Sequence, residues 1–206
     1  ALDTMWLMGL KDEWTEALTW LDSHFKVDQD MGVSVFEAMI RITGGLLSAY
    51  DLSGEKSLLD KAQRFTDRLM PAFSAESSGI PQSVINLKTQ KSHFHSWLQG
   101  RVALAEVGTV QMELAYLSHH TGNPSYGKTG LKIFQTVKGH AVERGLYAVY
   151  LNPDGSAANN KLTLNAPADS FYEYVFKTHL LLNKKVKWLE EMWEDTATAI
   201  VTRLRG

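Results

Sequence analysis

Cysteine is absent from the 206 residues of the chain. Its absence excludes a disulfide framework and any thiolate metal site within this stretch. An excess of charge of one sign is missing as well, because 21 basic residues stand against 23 acidic ones and the net charge is −2. A protein that binds nucleic acid needs a clustered basic excess, so we expect no nucleic-acid partner.

Long hydrophobic runs are also missing. No stretch reaches the roughly 18 consecutive apolar residues of a membrane span, so we predict no membrane contact from this segment. The first residues, ALDTMWLMGL, have a helical pattern without a start signal, and the last, AIVTRLRG, stop within one. We therefore expect residues 1–206 to form a single incomplete domain, a piece of a longer chain, and we expect a monomer.

The hydrophobic pattern predicts an almost entirely helical protein. Apolar residues recur at helical spacing in seven segments, namely residues 3–21, 36–52, 57–73, 105–119, 125–138, 169–182 and 184–205. Residues 80–100 have no helical period and predict a long loop with one short hairpin. Residues 145–151 and 161–164 are strand-like and are joined by a turn signature at residues 152–155.

Pairs of helices recur along the chain. Turns at Ser53-Gly54, Thr121-Gly122 and Asn183-Lys184 join consecutive helices and lie about 65 residues apart. Helical hairpins that repeat at a fixed period indicate a solenoid or a closed toroid. In a toroid, the long connecting segments would gather on one rim.

The segment at residues 36–50, FEAMIRITGGLLSAY, is the most informative helix. Glu37 and Arg41 are four residues apart, so the acid and the guanidinium lie on one face. The pair Gly44-Gly45 costs a helix interior about 1 kcal/mol per glycine, which predicts that something packs very close to it. Taken alone, the acid and arginine are better explained as a surface ion pair on a core helix than as part of a functional site.

The leading helix of each pair carries acid near its start. These acids are Glu37, then Glu106 with Glu113, then Asp169 with Glu173. A single acid there is explained by the helix dipole, but leading helices arranged around one axis would bring all of them to one cavity. Partly buried carboxylates that converge raise one another's pKa, and such clusters hold a cation or perform acid–base chemistry on a ligand such as a sugar.

Two other motifs are weaker. His93 and His95 share one side of an extended segment, but the sequence fixes no third zinc ligand. Residues 28–32 resemble a calcium loop, yet the glycine comes one place early and no glutamate closes the loop, so we reject an EF-hand.

Five motifs in chain order carry a resemblance to a known family. They are ALDTMWLMGL, FEAMIRITGGLLSAYDLSG, GIPQSVIN, AEVGTVQMELAYLSHHTGNPSY and DSFYEYVFK. Over residues 1–177 the chain resembles glycoside hydrolase family 47, the class I α-1,2-mannosidases of N-glycan trimming. The resemblance implies an all-α (α/α)7 barrel, with about three of its hairpins present here, and an inverting mechanism. It also implies one bound Ca2+ ion, a high-mannose N-glycan as partner, and the lumen of the endoplasmic reticulum or Golgi.

The resemblance also assigns roles to single residues. Glu37 matches the family's general acid, which acts on the glycosidic oxygen through a water, and Arg41 matches the arginine beside that acid. Asp169 matches a candidate for the catalytic base or for steering the attacking water. Four further carboxylates match groups that line the sugar pocket: Asp3, Glu106, Glu113 and Glu173.

The chain departs from the family pattern in a few places. The family's second base candidate and its calcium-ligating threonine would lie beyond Gly206, so no metal ligand is expected in this segment. Ala168 stands where the family often has glycine, and Asn183-Lys184 replaces the usual Thr-Gly turn.

Two alternatives to a hydrolase stay open at the level of the sequence. A mannosidase-like lectin, which binds N-glycans of misfolded glycoproteins during degradation, would keep the same carboxylates. A helical-repeat interaction scaffold would not need them to converge.

Overall fold

The computed structural model describes residues 1–204 and is mostly helical. The helices are α1 (Leu2–Leu7), α2 (Lys11–His24), α3 (Val35–Ala38), α4 (Gly44–Ser53), α5 (Lys56–Leu69), α6 (Pro71–Ser74), α7 (Leu104–Gly108), α8 (Gln111–Thr121), α9 (Pro124–Lys138), α10 (Asp169–Leu181) and α11 (Lys187–Ala199). A π-helical turn at Met39–Thr43 joins α3 to α4, and another at Ile200–Leu204 follows α11. No helix among residues 1–204 is long and apolar enough to cross a membrane.

Short strands connect the helical pairs. They are β1 (Gly32–Ser34), β2 (Val84–Asn86), β3 (Ser92–His93), β4 (Val102–Ala103) and β5 (Tyr150–Leu151). The first three form an antiparallel sheet in the order β1-β2-β3, and β4 pairs antiparallel with β5. The hairpin predicted within residues 80–100 is confirmed as β2–β3. Strand β1 anchors the start of α3, because the Val35 N–H donates to the Ser83 carbonyl at 2.9 Å.

Three helical hairpins stand side by side, as the repeat predicts. Each predicted turn joins a leading helix to its return helix: α4 to α5, α8 to α9, and α10 to α11. Gly54 and Gly122 end their helices at φ of +74° and +72°, the left-handed region that glycine reaches without steric cost. At the third turn the non-glycine residues Asn183 and Lys184 adopt φ of +52° and +58°.

The leading helices pack against one another as well as against their own return helices. Helix α8 contacts both α4 and α10, and α7 lies against α10. The apolar faces of these elements form one core, whose largest fully buried side chains include Met39, Phe65, Leu114, Phe134 and Phe171. The starts of α3, α7 and α10 are therefore brought to the same end of the row.

The predicted helix at residues 3–21 is wrong in one respect, because it is two helices. Gly9 adopts φ of +70° between α1 and α2, a left-handed conformation that ends an α-helix. The broad apolar stripe continues across this break, and for that reason the pattern does not reveal it. A smaller difference is that the helix predicted at residues 57–73 is divided at Met70, because α5 ends at Leu69 and Pro71 begins α6.

The helix predicted at residues 105–119 is also interrupted, at Thr109 and Val110. The Gln111 side chain binds backbone groups that the break leaves without helical partners. It accepts from the Val110 N–H at 3.0 Å and donates to the Val107 carbonyl at 2.9 Å. The break allows the Thr109 hydroxyl to bond the Ser170 hydroxyl at 2.9 Å. It therefore joins α7 to the start of α10.

The predicted strand at residues 161–164 does not form. After β5, the Asp154 carboxylate accepts from the Ser156 N–H at 2.9 Å and closes a tight turn. The returning residues Ala157 and Ala158 then pair with β5. Lys161 contributes one further bond, because its carbonyl accepts from the Val149 N–H at 3.1 Å, and a single bond does not make a strand of residues 161–164. The last predicted helix, at residues 184–205, is confirmed as α11 and the π-helical turn through Leu204, while Arg205 lies outside the described residues.

The very close packing predicted at the glycine pair is not found. A Cβ on Gly44 would lie 3.5 Å from the Cγ and Oε1 atoms of Glu113, which is an ordinary van der Waals distance, and nothing lies within 4 Å of a Cβ on Gly45. Gly44 thus lies beside the Glu113 side chain of α8 without an unusually tight contact.

Candidate active site

A cavity of about 630 Å³ opens where the leading helices begin. Its lining is Ser34, Phe36, Glu37, His95, Trp97, Ala103, Ala105, Glu106, Tyr150, Ala166, Pro167, Asp169, Ser170 and Glu173. Four of the seven site residues predicted from the sequence are among them: Glu37, Glu106, Asp169 and Glu173. A fifth, Arg41, reaches the cavity through its bond to Glu37.

Glu37 is held at the first turn of α3. The Ser34 hydroxyl caps this helix by accepting from the Glu37 N–H at 3.2 Å, which fixes the backbone that carries the acid. One turn later, the Arg41 Nε donates to Glu37 Oε2. The Glu37 side chain stays 46% exposed, so a ligand in the cavity can still reach a carboxylate that already has a permanent cationic partner.

Asp169 and Glu173 lie one turn apart on α10. The Asp169 carboxylate accepts from the Ser170 N–H at 2.9 Å, and Lys177 donates to Glu173. Phe171, between them, is fully buried against Gly108 of α7, where a Cβ would lie only 2.0 Å from the ring. Glycine at position 108 thus permits the close contact of α7 with α10 that sets Glu106 beside these two acids.

Glu106 is the most enclosed of the four carboxylates that line the cavity, and its side chain is 20% exposed. The Ser83 hydroxyl donates to its Oε2 at 3.3 Å, and the His95 Nε2 lies 3.5 Å from its Oε1. Burial raises the pKa of Glu106, while the charge of His95 and the Ser83 hydrogen bond oppose that rise. The protonation of this group therefore depends on the residues around it.

Trp97 and His95 are the most distinctive of the cavity side chains that the sequence does not identify as sugar-site residues. Trp97 is 69% exposed at the rim, and its ring centroid lies 5.3 Å from that of His95. A large exposed indole offers a flat apolar face beside polar groups, as sugar-binding sites use. The sequence signal is the cluster HFHSW within an unusually long loop, but only the fold places that loop over α7.

Asp3 and Glu113 are not brought to this cavity. Glu113 lines a second depression of about 270 Å³, together with Gly44, Leu47, Ser48, Asp51, Met112, Tyr116 and Leu181. Asp3 reaches it by accepting from the Ser48 hydroxyl at 3.4 Å. Glu106 lies on α7 and Glu113 on α8, and the break at Thr109 and Val110 separates the two acids, so Glu113 does not line the cavity.

The second depression has a different chemistry. The Tyr174 hydroxyl donates to Glu113 Oε1 at 2.9 Å, and the Tyr116 hydroxyl donates to Asp51. Burial raises the pKa of Glu113, and its Oε2 atom is buried without a hydrogen-bond partner. Glu113 and Asp51 thus have neutral tyrosine hydroxyls as partners, where Glu37 and Glu173 have cations.

The residues of this chain do not by themselves fit a metal centre. Among residues 1–204, no group of three or more His, Asp or Glu side chains could hold a metal ion. Calcium needs six to eight oxygen ligands, so no chemical step below is assigned to it.

The sequence model of glycosyl hydrolase family 47 matches residues 1–205. The chain belongs to this family. It is 39% identical to the mannosyl-oligosaccharide 1,2-alpha-mannosidase of Arabidopsis thaliana, an alignment that covers 100% of this chain and 37% of that protein. It is 37% identical to the human endoplasmic reticulum mannosyl-oligosaccharide 1,2-alpha-mannosidase, over 99% of this chain and 29% of that protein. The chain therefore spans about a third of the length of these relatives.

Solved structures confirm the fold. The alpha-1,2-mannosidase from Trichoderma reesei superimposes with a TM-score of 0.85 at 27% identity, over 98% of this chain and 45% of that one. A D-mannose isomerase superimposes with a TM-score of 0.70 at 12% identity, which speaks for the fold alone. The all-α barrel of helical hairpins predicted from the sequence is thus confirmed for this chain as a portion of such a barrel.

Proposed function

We propose that the full-length protein is an α-1,2-mannosidase that removes terminal α-1,2-linked mannose from high-mannose N-glycans. The observation that supports this most is that Glu37 and Asp169, which belong to two different hairpins, line one cavity large enough for a sugar. Membership of family 47 and the printed activities of the relatives point the same way.

The proposed chemistry is an inverting hydrolysis. Glu37, acting through a water, delivers a proton to the glycosidic oxygen as the bond from that oxygen to C1 of the mannose breaks. A second water attacks C1 from the opposite face and gives its proton to Asp169, so that the released sugar has the inverted anomeric configuration. Inverting enzymes hold acid and base roughly 6.5 to 9.5 Å apart with the attacking water between them, and two acids on separate hairpins suit that arrangement.

The remaining cavity residues are proposed to bind the sugar. The carboxylates of Glu106 and Glu173 can accept hydrogen bonds from its hydroxyls, Arg41 steadies the acid at position 37, and Trp97 offers a stacking surface at the rim. The same role for Asp3 and Glu113 is supported by the family motifs only, since neither lines the cavity.

Calcium dependence and location in the secretory pathway are proposed from the family alone. Several relatives are named as enzymes of the endoplasmic reticulum, and we propose that this protein acts in that pathway. Loss of thermal stability of the full-length protein on addition of a calcium chelator would support a bound ion, and an unchanged melting temperature would contradict one.

The deciding experiment is the release of free mannose from a nine-mannose N-glycan by the full-length protein. We expect release with inversion, detected by NMR of the newly formed anomer. Glycan binding without release would favour the lectin-like alternative. If neither occurs, and simultaneous replacement of Glu37, Asp169 and Glu173 leaves the protein's cellular function intact, the scaffold alternative is correct.

A further inference from the structure

The carboxylates of the cavity differ in the partner that balances their charge. Glu37 is bound by Arg41, and Glu173 is bound by Lys177. Both of these partners stay protonated throughout the physiological pH range. Glu106 instead faces the imidazole of His95, the side-chain type whose charge changes between pH 5 and 8.

His95 touches two parts of the cavity at once. Its Nε2 lies 3.5 Å from Glu106 Oε1, and both side chains are 20% exposed. Its ring is tilted by 32° against the indole of Trp97, at a centroid distance of 5.3 Å. The imidazole thus lies between an acid on α7 and the aromatic residue at the rim.

The titratable side chains that line the cavity from the other elements are acidic or phenolic. Glu37 comes from α3, Asp169 and Glu173 from α10, and the phenol of Tyr150 from β5. Arg41 and Lys177 reach this surface only through their bonds to Glu37 and Glu173. Among the described residues that line the cavity, His95 is the one able to carry a positive charge, and it lies against Glu106.

We propose that His95 is a positioning residue whose positive charge keeps the carboxylate of Glu106 ionised and oriented toward the sugar at acidic pH. This inference rests on the proposed mannosidase function, because it assigns Glu106 to substrate binding. It predicts that the effect of replacing His95 on mannose release depends on pH.

The electrostatics give the expected sign. Burial raises the pKa of Glu106, and the charge of His95 acts against that rise. Without a cation at position 95, the carboxyl keeps its proton to higher pH and accepts fewer hydrogen bonds from the substrate. The loss should be greatest at acidic pH and should shrink toward pH 8, because Glu106 then loses its proton without the help of a neighbouring cation.

The test compares His95→Gln with the matched control His93→Gln in the full-length protein. His93 is exposed in the same segment and does not line the cavity. For His95→Gln we expect kcat/KM for mannose release to fall about three- to tenfold near pH 5, mainly through KM, and less than about twofold near pH 8, since one pKa unit corresponds to a tenfold change. His93→Gln should follow the unmodified protein, and His95→Lys, which keeps a cation, should retain the acidic side of the profile. An equal loss at every pH, or no loss, would overturn the proposal.

A second measurement separates this inference from the proposed function. Carbon-13 NMR of labelled glutamate carboxyls follows Glu106 directly, with its signal assigned by its disappearance in Glu106→Gln. We expect the titration of this carboxyl to move to higher pH in His95→Gln. If it moves although no mannose is released, the proposed function fails and the His95–Glu106 coupling stands. If mannose is released but the titration does not move, the coupling is refuted.

Discussion

Two groups of acids lie along the same leading helices and have opposite surroundings. At the helix starts, Glu37 and Glu173 are bound by Arg41 and Lys177, and their side chains remain about half exposed. Further along the row of helices, Glu113 of α8 and Asp51 of α4 accept from tyrosine hydroxyls at the smaller depression.

The difference shows how one fold gives similar residues different uses. A cation beside a carboxylate favours its charged form, whereas burial next to a neutral hydroxyl favours the protonated form. Burial accordingly raises the pKa of Glu113, while the open cavity keeps its acids within reach of solvent and ligand. We infer that chemistry belongs to the first group and helix packing to the second.

The largest expected effect comes from removing the acid of the first group. Glu37→Gln keeps the shape of the side chain but cannot deliver a proton, and general acid catalysis contributes about 10²- to 10⁴-fold. We expect kcat for mannose release by the full-length protein to fall by about that factor.

The matched control for this change is Asp51→Asn, an acid-to-amide change at the second depression. It should leave kcat within about threefold of the unmodified protein. Near-normal turnover of Glu37→Gln would contradict the role of Glu37 as the general acid. Equal losses of kcat in both variants would contradict the proposed difference between the two groups of acids.

A packing change of intermediate size tests how the cavity is built. In Gly108→Ala, the new methyl group would lie 2.0 Å from the Phe171 ring, and relieving this clash must push α7 away from α10. We expect the free energy of unfolding to fall by about 3 kcal/mol, at the upper end of overpacking effects. Urea denaturation of the full-length protein measures it.

Gly45→Ala provides the contrast, because nothing lies within 4 Å of its new methyl group. Alanine is favoured over glycine in a helix interior by about 1 kcal/mol, so this variant should be slightly more stable. If both glycine variants behave alike, the close contact of α7 with α10 is not what holds the cavity together.

The smallest effect is a change in pH dependence at the second group. Burial raises the pKa of Glu113 in the folded protein above its ordinary value of 4.5, so the folded state holds this proton more tightly than the unfolded state. Its contribution to stability is complete below pH 4.5 and is lost as the pH rises through the raised value. Glu113→Gln cannot titrate, and its free energy of unfolding should fall less between pH 4.5 and 7 in urea denaturation. An unchanged slope would show that Glu113 is solvated like an ordinary surface acid.

Much of this arrangement can be predicted from periodicity and turn residues. The helix that carries Glu37 has a regular apolar stripe, and the turns at Gly54 and Gly122 have left-handed glycines at the predicted places. Because the three leading helices begin at one end of the row, the convergence of Glu37, Glu106 and Asp169 follows from local patterns plus the repeat. Their assigned roles in catalysis stay predictions.

What the sequence could not provide depends on contacts between distant residues. The break at Thr109 is satisfied by Gln111 and by Ser170 of another hairpin, and no local signal encodes that second bond. The pairing of His95 with Glu106 likewise requires the long loop to fold back over α7. Glu113 was expected beside Glu106 because a continuous helix would keep the two acids nearly in line, but the break at Thr109 and Val110 places them on two separate helices.

The π-helical turn at Met39–Thr43 has a consequence for insertions and deletions. A π turn holds one residue more than an α turn, and each α-helical residue rotates the chain by about 100°. Deleting a single residue there would restore a regular helix from Val35 to Ser53, yet it would rotate the segment bearing Glu37 by about that angle relative to the segment bearing Gly44. The number of residues in the turn at Met39–Thr43 therefore sets the direction of the Glu37 side chain as much as the identity of any residue does.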